Sequence, residues 1–80
     1  MKLPRDISGR ELAGALARLD YQVSYQTGSH IRLSTERNGR HHITIPDHDA
    51  IRVGTLSAIL RDLCEHHQLS RQEILEELFS

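Results

Sequence analysis

Eighty residues allow one domain and one small core, with little room for a second. At 38% hydrophobic and 26% charged, with only Tyr21, Tyr25 and Phe79 aromatic, the chain has the composition of a folded protein with an aliphatic core, which excludes a disordered polymer. The net charge of −1 hides an asymmetry: residues 1–61 carry nine of the ten Lys/Arg and six of the eleven Asp/Glu, so a polyanion would meet that part and avoid the acidic end from Asp62 onward.

Ser8-Gly-Arg-Glu11 has the spacing of a capping box, with Ile7 and Leu12 placed as its hydrophobic staple. Leu12, Leu16 and Leu19 keep helical spacing, which predicts a first helix from about Ser8 to Leu19. Tyr21, Val23 and Tyr25 alternate with Gln22, Ser24 and Gln26, the pattern of a strand. A turn at Thr27-Gly28-Ser29 leads to a second alternating run through Ile31 and Leu33, and Asn38-Gly39 marks the turn to a third through Ile43 and Ile45. A two-residue turn would set Leu33 against Thr44. A three-residue turn, Arg37-Asn38-Gly39 with Gly39 left-handed, instead pairs Leu33 with Ile43 and Ile31 with Ile45, and sets Glu36 opposite Arg40. The second register is expected. It gives one apolar sheet face and one polar face carrying His30, Arg32, Ser34, His42 and Thr44, so the helices should lie on one side only.

Pro46 ends the third strand and a loop runs from Asp47 to Val53. From Thr55, the series Leu56, Ile59, Leu60, Leu63, Cys64 is a strong amphipathic helix with Cys64 on its apolar stripe. Ser70-Arg-Gln-Glu73 is a second capping box, opening a short last helix that buries Ile74, Leu75 and Leu78, with Phe79 a further candidate. The expected architecture is α+β, in the order α-β-β-β-α plus a terminal helix. It occupies residues 1–80 as a single domain. No apolar run approaches the ~20 residues of a membrane span, the N-terminus lacks a signal-peptide core, and a lone cysteine forms no internal disulfide, so a cytoplasmic location is expected.

The segments Gly28-Ser29-His30, Ile45-Pro46-Asp47-His48, Ile51-Arg-Val-Gly54-Thr55-Leu56 and Ile59-Leu60-Arg61 together resemble the HicA family, toxins of HicA–HicB toxin–antitoxin modules, in order and spacing. The resemblance implies a fold like the double-stranded-RNA-binding domain. It also implies metal-independent endoribonuclease action on mRNA, no cofactor, and a HicB-like antitoxin partner. It makes His30 the catalytic residue. His48 is a second candidate, as partner acid–base or as a residue that orients its loop.

RNA supplies its own nucleophile in the 2′-OH, so cleavage needs a group that moves a proton near neutral pH and cations that hold the phosphate; histidine meets the first need. Gly28 would let a backbone come close, Ser29 would donate to a phosphate oxygen, and Arg32 falls on the same sheet face as His30. Arg52 with Gly54 and Thr55 at the start of the main helix offers an anion site, while Arg5 and Arg10 near the first helix are placed to track a phosphate backbone or are plain surface charge. His41-His42 is expected in the third strand, and His66-His67 is read as favourable placement at a helix C-terminus. No His-x₃-His or Cys-His spacing suggests a metal site. The alternative to a ribonuclease is a non-cleaving module on the same fold that binds RNA or an antitoxin, which the low net charge favours.

Overall fold

The computed structural model describes residues 3–80. The first helix, α1, spans Gly9–Leu16 and tightens into a 3₁₀ turn over Ala17–Leu19. Its capping box is formed in both directions, with the Glu11 N–H donating to Ser8 Oγ and the Ser8 N–H donating to Glu11 Oε1, each at 3.0 Å. Those bonds hold the Glu11 carboxyl below its ordinary pKa. Asp20, at a left-handed φ of 65°, stops the turn and directs the chain into the sheet.

Strands β1 (Gln22–Gln26), β2 (His30–Thr35) and β3 (His41–Pro46) form an antiparallel sheet in the order β1-β2-β3. Leu33 pairs with Ile43 and Ile31 with Ile45, the expected register, and Glu36 meets Arg40 across the turn at 3.1 Å. The turn bends more sharply than one left-handed glycine provides, because Asn38 (φ 58°) and Gly39 (φ 97°) both take positive φ. One part of the sheet departs from simple alternation. The register between β1 and β2 shifts between Val23 and Tyr25, so Val23 pairs with Leu33 but Tyr25 pairs with Arg32. The irregularity turns Tyr25 to the polar face, where it is 63% exposed, and separates it from the buried Tyr21.

Helices α2 (Val53–His67) and α3 (Arg71–Phe79) complete the chain. The amphipathic run begins two residues earlier than Thr55, since Arg52 is the extended N-cap and the Leu56 N–H already closes on its carbonyl at 2.9 Å. The core lies between the helices and one sheet face, where Leu12, Leu16, Leu33, Ile45, Leu56, Leu60, Leu63 and Ile74 are fully enclosed. Truncating one of these leucines to alanine costs about 2–5 kcal/mol, a large share of the stability of so small a domain. Cys64 packs at the edge of this core, and burial raises its thiol pKa, so it behaves as a packing residue. No helix among the described residues is long and apolar enough to cross a membrane.

Candidate active site

Three segments distant in sequence meet at one end of the sheet. The turn Thr27–Ser29 is held by its own bonds: the Thr27 N–H donates to the His30 carbonyl at 3.0 Å and the His30 N–H to Thr27 Oγ1 at 3.2 Å. Beyond the last β2–β3 pair, His30 with Pro46, the Asp47 N–H reaches the Ser29 carbonyl at 2.9 Å. The start of α1 closes the arrangement, with the Gly9 N–H on the His48 carbonyl at 2.9 Å and the Ile51 N–H on the Ile7 carbonyl at 2.8 Å. Gly28-Ser29-His30, Pro46-Asp47-His48 and Ile7–Arg10 are therefore joined by backbone bonds.

His30 is exposed at the head of β2, and Ser29 Oγ lies 3.1 Å from its Nδ1. Ser29 thus fixes one ring nitrogen and leaves Nε2 directed away from it, the arrangement a proton-transfer group needs. Arg32 is exposed two residues further on, on the same polar face, between Tyr25 of β1 and Thr44 of β3. Residues i and i+2 of a strand are about 6.5–7 Å apart along the backbone, so one phosphodiester fits between the two side chains. The Arg10 guanidinium sits 3.5 Å from the Asp47 carboxylate; Arg10 is 80% exposed and Asp47 15%.

The other expected residues are placed less tightly. His48 is exposed, and its backbone carbonyl accepts the Gly9 N–H. Gly28 has open space where a side chain would be, so nothing within the chain demands glycine there. Arg5 lies exposed on the bend before α1. Arg52, Gly54 and Thr55 are exposed around the start of α2, whose N-cap side chain makes no capping bond. Among the described residues no hydrogen bond ties that helix start to His30 or Arg32.

Two positioning residues were not singled out from the sequence. Gly9 is buried, and a Cβ on it would overlap the Pro46 carbonyl. Its signal was a glycine at the first position of a helix, where almost any residue serves. Asp47, in the Pro46-Asp47-His48 loop, holds Arg10 beside the site.

The family described as "HicA toxin of bacterial toxin-antitoxin" matches residues 9–63, more than half of the chain and the span from Gly9 to the main helix. The chain belongs to the HicA toxin family. No curated protein and no solved structure matches it. Membership makes it a toxin of a toxin–antitoxin module, with an antitoxin as its partner.

In this HicA-family chain the opposite end of the sheet holds a second cluster of histidines, and it is built differently. His41, paired with Thr35 at the far end of β3, donates from Nε2 to the Asp62 carboxylate at 3.1 Å. Its Nδ1 then accepts the Tyr21 hydroxyl at 2.6 Å, and Tyr21 accepts from His67 Nε2 at 2.9 Å. His67 Nδ1 meets the Asn38 amide at 3.3 Å, and His66 Nε2 donates to the carbonyls of Arg37 and Gly39 at 2.9 and 3.1 Å. The His66-His67 pair is thus a clasp between the end of α2 and the β2–β3 turn, which corrects the reading of it as dipole placement alone. Burial, then the nearby Asp62 carboxylate, raises the Tyr21 pKa, so its hydroxyl stays protonated. Burial first, then the neighbouring His66, His41 and Arg37, lowers the pKa of His67. Ligand nitrogens of His41, His66 and His67 lie within 4.8 Å of one another.

Proposed function

We propose that this toxin is a metal-independent endoribonuclease that cleaves mRNA and so blocks translation, with His30 as the catalytic residue. One observation carries the reading: an exposed imidazole, fixed at Nδ1 by Ser29, stands on an open polar strand face two residues from the exposed guanidinium of Arg32. The 2′-OH of RNA attacks the adjacent phosphorus and the 5′-oxygen departs, giving a 2′,3′-cyclic phosphate and a new 5′-hydroxyl. His30 moves a proton at this reaction, a contribution of roughly 10²–10⁴ in rate. Arg32 and the Ser29 hydroxyl hold the phosphate oxygens as charge builds on them.

His48 serves as the second acid–base group, on a loop whose backbone is anchored to Gly9. Arg10, steered by Asp47, and Arg5 track the neighbouring phosphates. Arg52 and the free N–H groups at Gly54 and Thr55 receive a phosphate further along the strand. A HicB-like antitoxin neutralises the enzyme by covering this end of the sheet.

A second reading, a module that binds RNA or antitoxin without cutting, draws on the net charge of −1 and on the engagement of Arg10 by Asp47. Inducing the chain in bacteria beside His30→Ala, at equal folded yield, separates the two. Growth arrest with loss of full-length mRNA, abolished by His30→Ala, is the expected result. Tight RNA or antitoxin binding with intact mRNA in both strains would establish the non-cleaving module. Equal mRNA loss in both would remove His30 from the mechanism.

A further inference from the structure

We propose that His41, His66 and His67 form a site for a nitrogen-seeking divalent transition metal, zinc above all, which clamps the end of α2 to the β2–β3 turn. Neutral imidazoles suit zinc, nickel and copper, and three of them with one open position complete a four-coordinate shell. With Zn–N bonds near 2.0–2.1 Å, the ring centroids of three tetrahedrally arranged histidines lie about 5 Å apart. Here they are 4.2 Å (His41–His66), 4.7 Å (His66–His67) and 6.3 Å (His41–His67). The three rings are thus gathered near the spacing that one shared ion needs, with their orientations still to adjust.

The nitrogens that would not bind the metal already have partners, as the outer shell of a metal site requires. His41 Nε2 is held by Asp62, which frees Nδ1 as the ligand. His66 Nε2 is held by the Arg37 and Gly39 carbonyls, again freeing Nδ1. His67 Nδ1 faces Asn38, whose side-chain amide turns over to accept from it when Nε2 ligates. Two ligand nitrogens, His41 Nδ1 and His67 Nε2, converge on one point, the Tyr21 hydroxyl, at 2.6 and 2.9 Å. The ion competes with that hydroxyl for the His41 Nδ1 lone pair, and ligation at His67 Nε2 moves the proton of that ring to Nδ1. His66 must also swing out of its near-parallel stack on His41, 11° between planes, to complete the set. Spacing within one segment gave no sign of this cluster, because one ligand comes from β3 and two from the end of α2. It lies at the end of β3 away from His30, so its role is structural and metal-independent cleavage is unaffected.

The test uses tag-free protein stripped with EDTA and dialysed free of it, titrated with Zn²⁺ by calorimetry and with Co²⁺ by visible absorption. One equivalent of Zn²⁺ should bind and raise the Tm, and Co²⁺ should give the visible bands of nitrogen ligation. His66→Gln keeps a donor for the Arg37 and Gly39 carbonyls but removes the imidazole, and should weaken Zn²⁺ binding at least tenfold. His30→Ala, His42→Ala and His48→Ala should leave it unchanged. Absence of a one-equivalent site would overturn the proposal. So would unchanged affinity in a folded His66→Gln, or loss of binding on removing one of the three exposed histidines instead.

Discussion

The two ends of the sheet hold histidines in opposite chemical states. At the His30 end, backbone bonds fix the framework and His30 and His48 stay exposed; among the described residues the His30 ring is hydrogen-bonded to its neighbouring serine and the His48 ring to none. At the His41 end, imidazoles and a tyrosine are bonded to one another and to the turn, and His67 is 5% exposed. Histidine is one residue type with two uses. Where the backbone carries the structure, the ring is left exposed; where the ring carries the structure, its N–H groups are already engaged in bonds.

Breaking the framework at the first end should give the largest effect. Gly9→Ala adds a methyl group that overlaps the Pro46 carbonyl, and the atoms it meets are all backbone, with no flexible side chain to yield. Helix α1 must move off the Pro46-Asp47-His48 loop, at a cost of roughly 1–3 kcal/mol. Urea denaturation should show that loss, and RNA cleavage should fall further than stability does, because His48 and Arg10 shift with the loop. Gly14→Ala, where a Cβ meets nothing within 4 Å, is the control and should be neutral or slightly stabilising.

Breaking the clasp at the second end tests the converse. Tyr21→Phe removes the hydroxyl that joins His41 to His67 and leaves both ring nitrogens without it in a buried setting. The expected cost is about 1–3 kcal/mol in urea denaturation. RNA cleavage measured below the unfolding transition should stay near wild type, since among the described residues no hydrogen bond links this network to His30. A parallel loss of cleavage would show that the two ends are coupled.

Acid sharpens the contrast further. The folded state holds the His67 pKa below its ordinary 6.5, chiefly through burial. The unfolded chain therefore binds the proton first, so stability is full above about pH 6.5 and declines as pH falls toward the lowered folded value. The neighbouring His66, His41 and Arg37 add to it by repelling charge on His67. Denaturation midpoints in chelator between pH 7.5 and 5 should fall in wild type and flatten in His67→Gln. An unchanged slope in that variant would move the acid sensitivity elsewhere.

Much of this architecture was legible because local signals agreed. Both capping boxes, the leucine spacing of α1 and α2, and the one apolar sheet face that fixed the Leu33–Ile43 register all point the same way. The backbone context of His30 was equally local, a glycine turn opening a strand, although its role rests on the family resemblance. What escaped needs long-range contact. The shift in β1 that reverses Tyr25 depends on strand pairing, and the overlap behind Gly9 depends on the end of β3 and the loop that follows it, distant in sequence. The His41-His66-His67 cluster joins two elements whose separate patterns each suggest an ordinary surface histidine.

The smallest expected effect concerns the link between the clasp and α3. Gln68 ends α2 in the left-handed region, φ 55° and ψ 44°, with its N–H on the Cys64 carbonyl, a position that favours glycine. A non-glycine residue held there costs roughly 1–2 kcal/mol of local strain. Gln68 offsets part of that with a side-chain bond from Nε2 to the Glu65 carbonyl at 2.8 Å. Glycine also enlarges the freedom of the unfolded chain, which works against the gain. Gln68→Gly should therefore stabilise the domain by only about 0.5 kcal/mol, read as a small rise in Tm. A fall in Tm would mean that the side-chain bond to Glu65 outweighs the strain, and that the end of α2 is held by Gln68 as well as by its two histidines.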